Sequence, residues 1–319
     1  MKNNKLARLA LVVPCYNEQE VLPSTNTTLQ NVLNTLIGKD LISDDSYILY
    51  VNDGSKDETW NIIEKFHEES NLVDGIKLSR NKGHQNALMA GLMYAKDNCD
   101  CAISIDADLQ DDVNVIEQMV NEYLGGSQIV YGVRNSRDTD SFFKRKTATM
   151  FYKLMEKLGA KTIYNHADFR LMSSRALQEL ASFNEVNLFL RGIVTELGFK
   201  VSIVKYDRLE RQLGESKYPF SKMLSLAFEG ITSFSIKPVM IVVYTGAVLL
   251  ILGFLAILTV IIYSFFAFFN VAWFIVSIMS LFTGMNLLAI GLVGIYVGKN
   301  YMETKSRPRY IIETVLIHR

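Results

Sequence analysis

The chain of 319 residues carries 33 lysines and arginines and 33 aspartates and glutamates, so its formal net charge is zero. This length suffices for one large domain and a further segment, and the balanced charge predicts no nucleic-acid or polyanionic partner. Three cysteines are too few for a disulfide framework and fit a reducing compartment, and the four scattered histidines lack the spacing of a zinc site.

Residues 1–135 alternate between strand-like and helix-like patterns. The predicted strands are Leu9–Val13, Tyr47–Val51, Ile76–Leu78, Ala102–Ile105 and Ile129–Gly132, and the predicted helices are Glu18–Leu36, Glu58–Glu69, His84–Lys96 and Val113–Leu124. This alternation predicts an α/β domain with a mostly parallel sheet and right-handed crossovers. The carboxyl ends of such strands lie along one edge, where open α/β sheets bind their ligands.

Acidic residues follow the fourth predicted strand, in the segment CAISIDADLQDD. Asp106 and Asp108 are two residues apart, so their side chains point to the same side if the strand continues through them. Two hard oxygen donors on one side form half of a Mg²⁺ or Mn²⁺ site, which a substrate diphosphate would complete. The alternative is an acidic turn after a strand.

Two further loops end strands at the same predicted edge. In VNDGSKDET, Asp53 precedes a glycine in a turn-forming pair, and its carboxylate could accept hydrogen bonds from a nucleobase. In VPCYNE, Tyr16 could stack on that base. Each loop could also be only a turn.

Charged residues from position 134 onward are candidates for phosphate contacts. Arg134 begins a basic run that ends at Lys146 and is either a solvated face or a phosphate clamp. Asp168 and Arg170 form either a surface ion pair or part of a site. Arg191 lies in an apolar predicted helix, LFLRGIV, where a charge is costly unless it is paired or faces a site.

The C-terminal third has the pattern of a membrane anchor. Apolar residues recur at steps of three and four between Phe220 and Phe234, which predicts an amphipathic helix at the membrane interface. No charged residue or histidine occurs from Pro238 to Gly298. Because one crossing takes about 20 residues, this stretch predicts a two-helix transmembrane hairpin. Basic residues flank only its outer ends, so both termini are expected in the cytoplasm.

These patterns predict four segments along the chain. They are a catalytic domain at 1–215, an interfacial helix at 216–236, a hairpin at 237–299 with spans at 239–264 and 272–298, and a tail at 300–319. Within the tail, Arg309–Ile317 is predicted to form a strand.

The ordered motifs VVPCYNE, VNDGS, LSRNKGHQNALMAG and DADLQ resemble those of the GT-A family 2 glycosyltransferases. The match looks closest to the polyprenyl-phosphate branch, which includes bactoprenol glucosyltransferases and dolichol-phosphate mannose synthases. The sequence departs from the family pattern in two places: Asn52 stands where Asp is common, and Asp111-Asp112-Val113 stands where prolines often follow DADLQ. The second departure leaves the start of the following helix open.

The resemblance implies roles for four groups of residues. The nucleotide would be bound by Pro14, Tyr16, Glu18, Asp53, Lys82 and Asp106. The metal would be held by Asp106, Asp108 and Gln110. The catalytic residues would be Asp168, the candidate base, and Asp108. The acceptor phosphate would be bound by Arg134, Arg191, Arg208, Arg211, Ser216, Lys217 and Tyr218.

The expected function is an inverting transfer of a single sugar that depends on Mg²⁺ or Mn²⁺. The expected donor is a nucleotide sugar, a UDP-linked hexose or N-acetylhexosamine, and the acceptor is undecaprenyl or dolichyl phosphate at the cytoplasmic face of the plasma membrane. A homo-oligomer is expected, with a tetramer as one form, in which the terminal strand pairs with a neighbouring subunit. The alternatives are a processive polysaccharide synthase, a catalytically dead nucleotide-binding protein and, least favoured, a transporter.

Overall fold

The structure is a computed structural model that describes residues 6–135, 166–185, 189–207 and 271–318, with isolated helical positions between 239 and 258. The sheet, its helices and residues 308–318 belong to one compact unit, and residues 271–307 belong to a second.

An eight-stranded sheet forms the first unit, in the order β7-β5-β6-β4-β1-β2-β3-β8. Its strands are β1 (Leu9–Cys15), β2 (Tyr47–Asn52), β3 (Val73–Leu78), β4 (Cys101–Ser104), β5 (Ile129–Arg134), β6 (His166–Ser173), β7 (Val201–Tyr206) and β8 (Ile312–Leu316). Its helices are α1 (Leu22–Gly38), α2 (Thr59–Glu69), α3 (His84–Ala95), α4 (Ile116–Leu124), α5 (Ser174–Ala181) and α6 (Leu190–Glu196). The architecture is a mixed α/β, Rossmann-like sheet domain.

Helices cover both faces of the central strands. Every residue of β1 is buried, as expected for a parallel strand with two covered faces. On one face, Leu11 of β1 belongs to the core cluster that includes Leu29 of α1 and Ile63 of α2. On the other, α3 lies so close that a Cβ on Gly91 would be 2.4 Å from Cγ1 of Val12. This glycine lets the helix approach β1 closely.

The prediction of a mostly parallel sheet is confirmed, because six of its eight strands run in the same direction: β6 is antiparallel to both β4 and β5, and β7 is parallel to β5. Strands β4, β1, β2 and β3 are mutually parallel, but β6 lies antiparallel between β4 and β5, and β8 is antiparallel to β3. The sequence had not predicted β6 or β7. The antiparallel strands β6 and β8 make the sheet mixed, and β6 begins at the ligand-binding edge.

The segment after DADLQ starts its helix without prolines. Asp112 accepts a hydrogen bond from the backbone N–H of Asn114 at 3.0 Å, which caps a short 3₁₀ helix over Val113–Val115 before α4 begins at Ile116. An aspartate at this position satisfies an otherwise unpaired N–H of the first turn. The departure from the family pattern therefore preserves the helix start.

The second unit contains one long apolar helix, α7 (Val271–Thr304). Within it, Phe282–Thr304 is the candidate membrane span of the described part of the chain, judged by length and hydropathy. The predicted 239–264 span is described only at isolated helical positions, and the predicted interfacial helix at 216–236 lies outside the described residues. The two-helix hairpin therefore stays a prediction.

The predicted C-terminal strand is present as β8, and it pairs with β3 of its own chain. Beyond it, the backbone N–H of His318 donates to Asp74 at 3.0 Å, and the His318 ring stacks on His67 with centroids 3.6 Å apart. These contacts hold the end of the tail on the sheet.

Candidate active site

The loops that follow β1, β2 and β4 meet because these parallel strands end at the same edge of the sheet. The first two loops are joined by hydrogen bonds: Asn17 N–H donates to Ser55 Oγ at 3.0 Å, and Glu18 N–H donates to Thr59 Oγ1 at 2.9 Å. Pro14 is buried at the end of β1, whereas Tyr16 is 41% exposed. The Tyr16 ring is therefore accessible for the predicted stacking on a base.

Asp53 organises the neighbouring loop. Its two carboxylate oxygens accept the backbone N–H groups of Lys82 at 2.7 Å and Gly83 at 2.8 Å. Burial raises the pKa of this carboxyl, while the two N–H donors oppose the shift. Gly83 has φ 87°, a conformation that favours glycine. The predicted contact between Asp53 and a base stays a prediction, and the contact present here holds Lys82 and the start of α3.

The three metal-site candidates, Asp106, Asp108 and Gln110, lie beyond the end of β4 and not in a strand. Because β4 ends at Ser104, the expected strand geometry does not extend to Asp106 and Asp108. The turn is held by Thr25 Oγ1 of α1, which donates to the Ala107 carbonyl at 2.6 Å. The backbone N–H of Gln110 donates to Asp108 Oδ1 at 3.3 Å.

Negative charge is concentrated at this turn. Desolvation raises the pKa of Asp106; His84 opposes the shift, and Asp168, Asp111 and Asp108 reinforce it. Within the described residues, no three His, Cys, Asp or Glu side chains are arranged around one possible metal position.

Asp168 is the centre of an ion-pair cluster at the start of β6. Arg170 Nη2 donates to its Oδ1 at 2.5 Å, and Arg191 donates through Nε at 3.3 Å and Nη2 at 3.2 Å. Burial alone would raise the pKa of Asp168, but Arg191 and Arg170 outweigh it and hold the pKa well below its usual range. A carboxylate in this environment stays ionised and is a weak base.

Asp168 and Arg170 form a buried ion pair, and the alternative of an ordinary surface ion pair is wrong. The Arg170 side chain is 2% exposed and that of Asp168 is 12% exposed. Arg170 Nη1 is buried and has no hydrogen-bond partner in the described part of the chain. The short strand pairing between β4 and β6, which aligns Ser104 with Arg170, brings this cluster beside the acidic turn.

Arg134 is engaged by a buried carboxylate. Its Nη2 lies 2.8 Å from Asp111 Oδ1, and the Tyr206 hydroxyl donates to the same oxygen at 2.6 Å. Desolvation lowers the pKa of Arg134, but Asp111 outweighs it and raises the pKa overall. The predicted contact of Arg134 with an acceptor phosphate stays a prediction. Five other predicted acceptor-side residues lie outside the described residues: Arg208, Arg211, Ser216, Lys217 and Tyr218.

His84 is a residue of this site that the sequence analysis missed. Its Nε2 lies 3.5 Å from Asp106 Oδ1 and 3.7 Å from Asp168 Oδ2. A signal was present in the sequence, because His84 directly follows the glycine in the motif LSRNKGHQNALMAG. The structure thus brings Asp106, His84, Asp168 and Arg191 together.

The chain is similar to known proteins over nearly its whole length. Residues 10–181 match Glycosyl transferase family 2. The chain is 52% identical over 307 residues to "Uncharacterized glycosyltransferase YkoT" of Bacillus subtilis (strain 168), a match that covers 96% of this chain and 91% of the relative. It is 39% identical over 313 residues to the "Prophage bactoprenol glucosyl transferase homolog" of Escherichia coli (strain K12), covering 97% and 99% of the two chains.

A further relative is the "Bactoprenol glucosyl transferase" of Shigella phage SfX, 38% identical over 311 residues, with 96% of this chain and 99% of the relative covered. Matches of this extent, together with the family match across the sheet, establish both the family and the class of enzyme. The chain belongs to glycosyl transferase family 2 and is a glycosyltransferase.

Proposed function

We propose that this glycosyltransferase transfers one sugar, with inversion, from a nucleotide diphosphate sugar to a polyprenyl phosphate at the cytoplasmic face of the plasma membrane. The proposed donor is a UDP-linked hexose or N-acetylhexosamine, and the proposed acceptor is undecaprenyl or dolichyl phosphate. The product would serve cell-envelope glycan modification. The relatives named as bactoprenol glucosyl transferases support a lipid acceptor.

One observation carries the proposal: two acids expected to serve opposite substrates lie close to the same imidazole nitrogen. His84 Nε2 is 3.5 Å from Asp106, the proposed donor-side acid, and 3.7 Å from Asp168, the proposed acceptor-side acid. Transfer of a sugar from a donor diphosphate to an acceptor phosphate requires both phosphates to lie close to the same anomeric carbon. The cluster therefore supports a reaction between a donor diphosphate and an acceptor phosphate.

The chemistry of the acidic turn fits a divalent cation. Nearby carboxylates reinforce the raised pKa of Asp106, and a bound cation would relieve this repulsion. Asp106, Asp108 and Gln110 would hold Mg²⁺ or Mn²⁺, with oxygens of the donor diphosphate completing the coordination. When bound, the ion would supply a Lewis acid that offsets charge on the leaving diphosphate.

The acceptor phosphate is already an anion at neutral pH, so its oxygen can attack the anomeric carbon without a strong base. A new C–O bond forms to the acceptor oxygen while the C–O bond to the donor diphosphate breaks, and the nucleoside diphosphate leaves with the electron pair. Asp168 would act mainly by orienting Arg191, because its low pKa makes it a poor proton acceptor. Arg191 is 34% exposed and would offset repulsion between the two anionic substrates.

We further propose that the chain anchors this site in the membrane through a two-helix hairpin and an interfacial helix, with both termini in the cytoplasm. The apolar Phe282–Thr304 segment supports a membrane association. A homo-oligomer, with a tetramer as one form, is part of the same proposal. Such an anchor would hold the soluble donor site within reach of the lipid headgroups.

The test is an assay of the purified full chain in detergent with Mn²⁺, undecaprenyl phosphate and a panel of labelled sugar nucleotides. One sugar per lipid is expected, with loss of product after chelation of Mn²⁺ or in Asp108→Ala. The control variant is Lys65→Ala, whose side chain is 70% exposed on α2. Many sugars per lipid would identify a processive synthase, and nucleotide binding without product from any donor would identify a binding protein. Either result would reject the proposal.

A further inference from the structure

Resting on the proposed function, we propose that His84 is a catalytic residue whose Nε2–H donates a hydrogen bond to a phosphate oxygen at the reacting centre. The oxygen belongs either to the leaving diphosphate of the donor or to the acceptor phosphate. The proposal rests on the position of His84 Nε2, which lies close to both the acid assigned to the donor and the acid assigned to the acceptor.

The surrounding loop fixes the position of His84. Both oxygens of Asp53 hold the two residues before it, Lys82 and Gly83, and Asn86 Nδ2 donates to the Lys82 carbonyl at 2.8 Å. The loops also approach closely, since a Cβ on Gly54 would lie 2.5 Å from the Arg80 carbonyl carbon. A hydrogen-bond donor held in place before the substrate arrives is the arrangement that favours a transition state.

Neither neighbouring carboxylate lies at a good hydrogen-bond distance from His84. The distances of 3.5 Å to Asp106 and 3.7 Å to Asp168 are longer than those of good N–H···O hydrogen bonds. The side chain is 43% exposed, so a ligand can reach it. A phosphate oxygen bound within hydrogen-bond distance of Nε2 would give this donor a charge-assisted hydrogen bond shorter than either present contact.

The start of α3 does not depend on the His84 side chain. His84 is the first residue of α3, and no side chain caps this helix. Removing the imidazole therefore breaks no helix-capping hydrogen bond. Its loss should change catalysis and leave the thermal stability of the protein unchanged.

The experiment compares full-length wild type, His84→Ala, His84→Gln and the control Lys65→Ala in detergent, with UDP-glucose, Mn²⁺ and undecaprenyl phosphate. The measured quantities are kcat, the KM for the lipid, the apparent Tm and the calorimetric affinity for UDP. His84→Ala is expected to lower kcat about 100-fold, the size of the effect of removing one such donor. His84→Gln keeps an N–H donor and should recover at least part of this loss, while Lys65→Ala behaves as wild type.

The two sources of the oxygen give different results. Contact with the donor diphosphate predicts weaker UDP binding in His84→Ala with an unchanged lipid KM, whereas contact with the acceptor predicts a higher lipid KM with unchanged UDP binding. Wild-type kcat, lipid KM and UDP affinity in His84→Ala would overturn the assignment, as would a loss that accompanies a lower Tm and is not relieved by Gln. Absence of lipid-linked product with wild type, both with UDP-glucose and with every other donor of the sugar-nucleotide panel, would instead reject the proposed function, and this proposal with it.

Discussion

Removing the Asp168 carboxylate should destabilise the protein, because Asp168 is the counter-ion of the buried Arg170 guanidinium within the described residues. Arg170 is 2% exposed, and its Nη1 already has no hydrogen-bond partner among the described residues. Desolvation lowers the pKa of Arg170, and Asp168 is the main group that opposes the shift. Breaking a buried pair by deleting one partner costs about 3–5 kcal/mol, so Asp168→Ala should lose this much stability.

For a domain of this size, about 1 kcal/mol shifts Tm by about 2–4 °C, so the apparent Tm of Asp168→Ala should fall by roughly 6–20 °C. The measurement is thermal unfolding of the full chain in detergent at one fixed scan rate, because unfolding of such proteins is often irreversible. The double variant Asp168→Ala/Arg170→Met removes both charges and should recover most of the loss. An exposed control, Lys65→Ala, should leave Tm unchanged.

Two results would refute this reasoning. A wild-type Tm for Asp168→Ala would mean that water or other groups compensate Arg170. A double variant no more stable than Asp168→Ala would mean that the loss comes from the cavity and not from the unpaired charge. The comparison also matters for catalysis, since reduced activity of an Asp168 variant cannot be assigned to a lost base until its folding is known.

Three other predictions follow from single contacts. The pKa of Asp168 is lower in the folded state than in the unfolded chain, where it is about 3.9. The ionised carboxylate therefore contributes its full stabilisation above that pH, and this stabilisation is lost as the pH falls further. The Tm difference between wild type and Asp168→Asn should be constant at neutral pH and shrink below about pH 4. Gly91→Ala would place a Cβ 2.4 Å from Val12 Cγ1, so overpacking should cost about 1–3 kcal/mol in thermal unfolding, whereas Gly38→Ala, with no atom within 4 Å of its Cβ, should not destabilise. Asp53→Asn leaves one of two backbone N–H donors facing an amide N–H₂, so it should cost about 1–3 kcal/mol and weaken UDP binding in calorimetry; unchanged stability and binding would show that the loop does not need the second oxygen.

The local features of the sheet were readable from the sequence because they depend on residues close together in the chain. Continuous apolar runs such as that of β1 predict fully buried strands, and all five strands predicted in the first 135 residues are present. The motif CAISIDADLQDD correctly locates the acidic turn beyond β4. Its geometry was beyond prediction, since the strand ends at Ser104 and the turn is fixed by Thr25 from α1.

The partners within the site were decided only by tertiary structure. Leu190 N–H is held by Gln85, 105 residues away, and the Tyr206 hydroxyl binds Asp111, 95 residues away. The sequence suggested that Asp53 binds a nucleobase, and in the fold its two oxygens accept hydrogen bonds from a neighbouring loop. No periodicity or motif encodes such pairings.

The sequence by itself determined the parallel strands, the order of the loops and the family, because apolar periodicity and short motifs act locally. The tertiary structure alone decided that β6 enters the sheet antiparallel beside β4. That insertion brings Asp168 and its two arginines to the edge that carries Asp106. The physical reason is that burial, charge pairing and the resulting pKa depend on which distant segments meet, and this is a property of the packed chain.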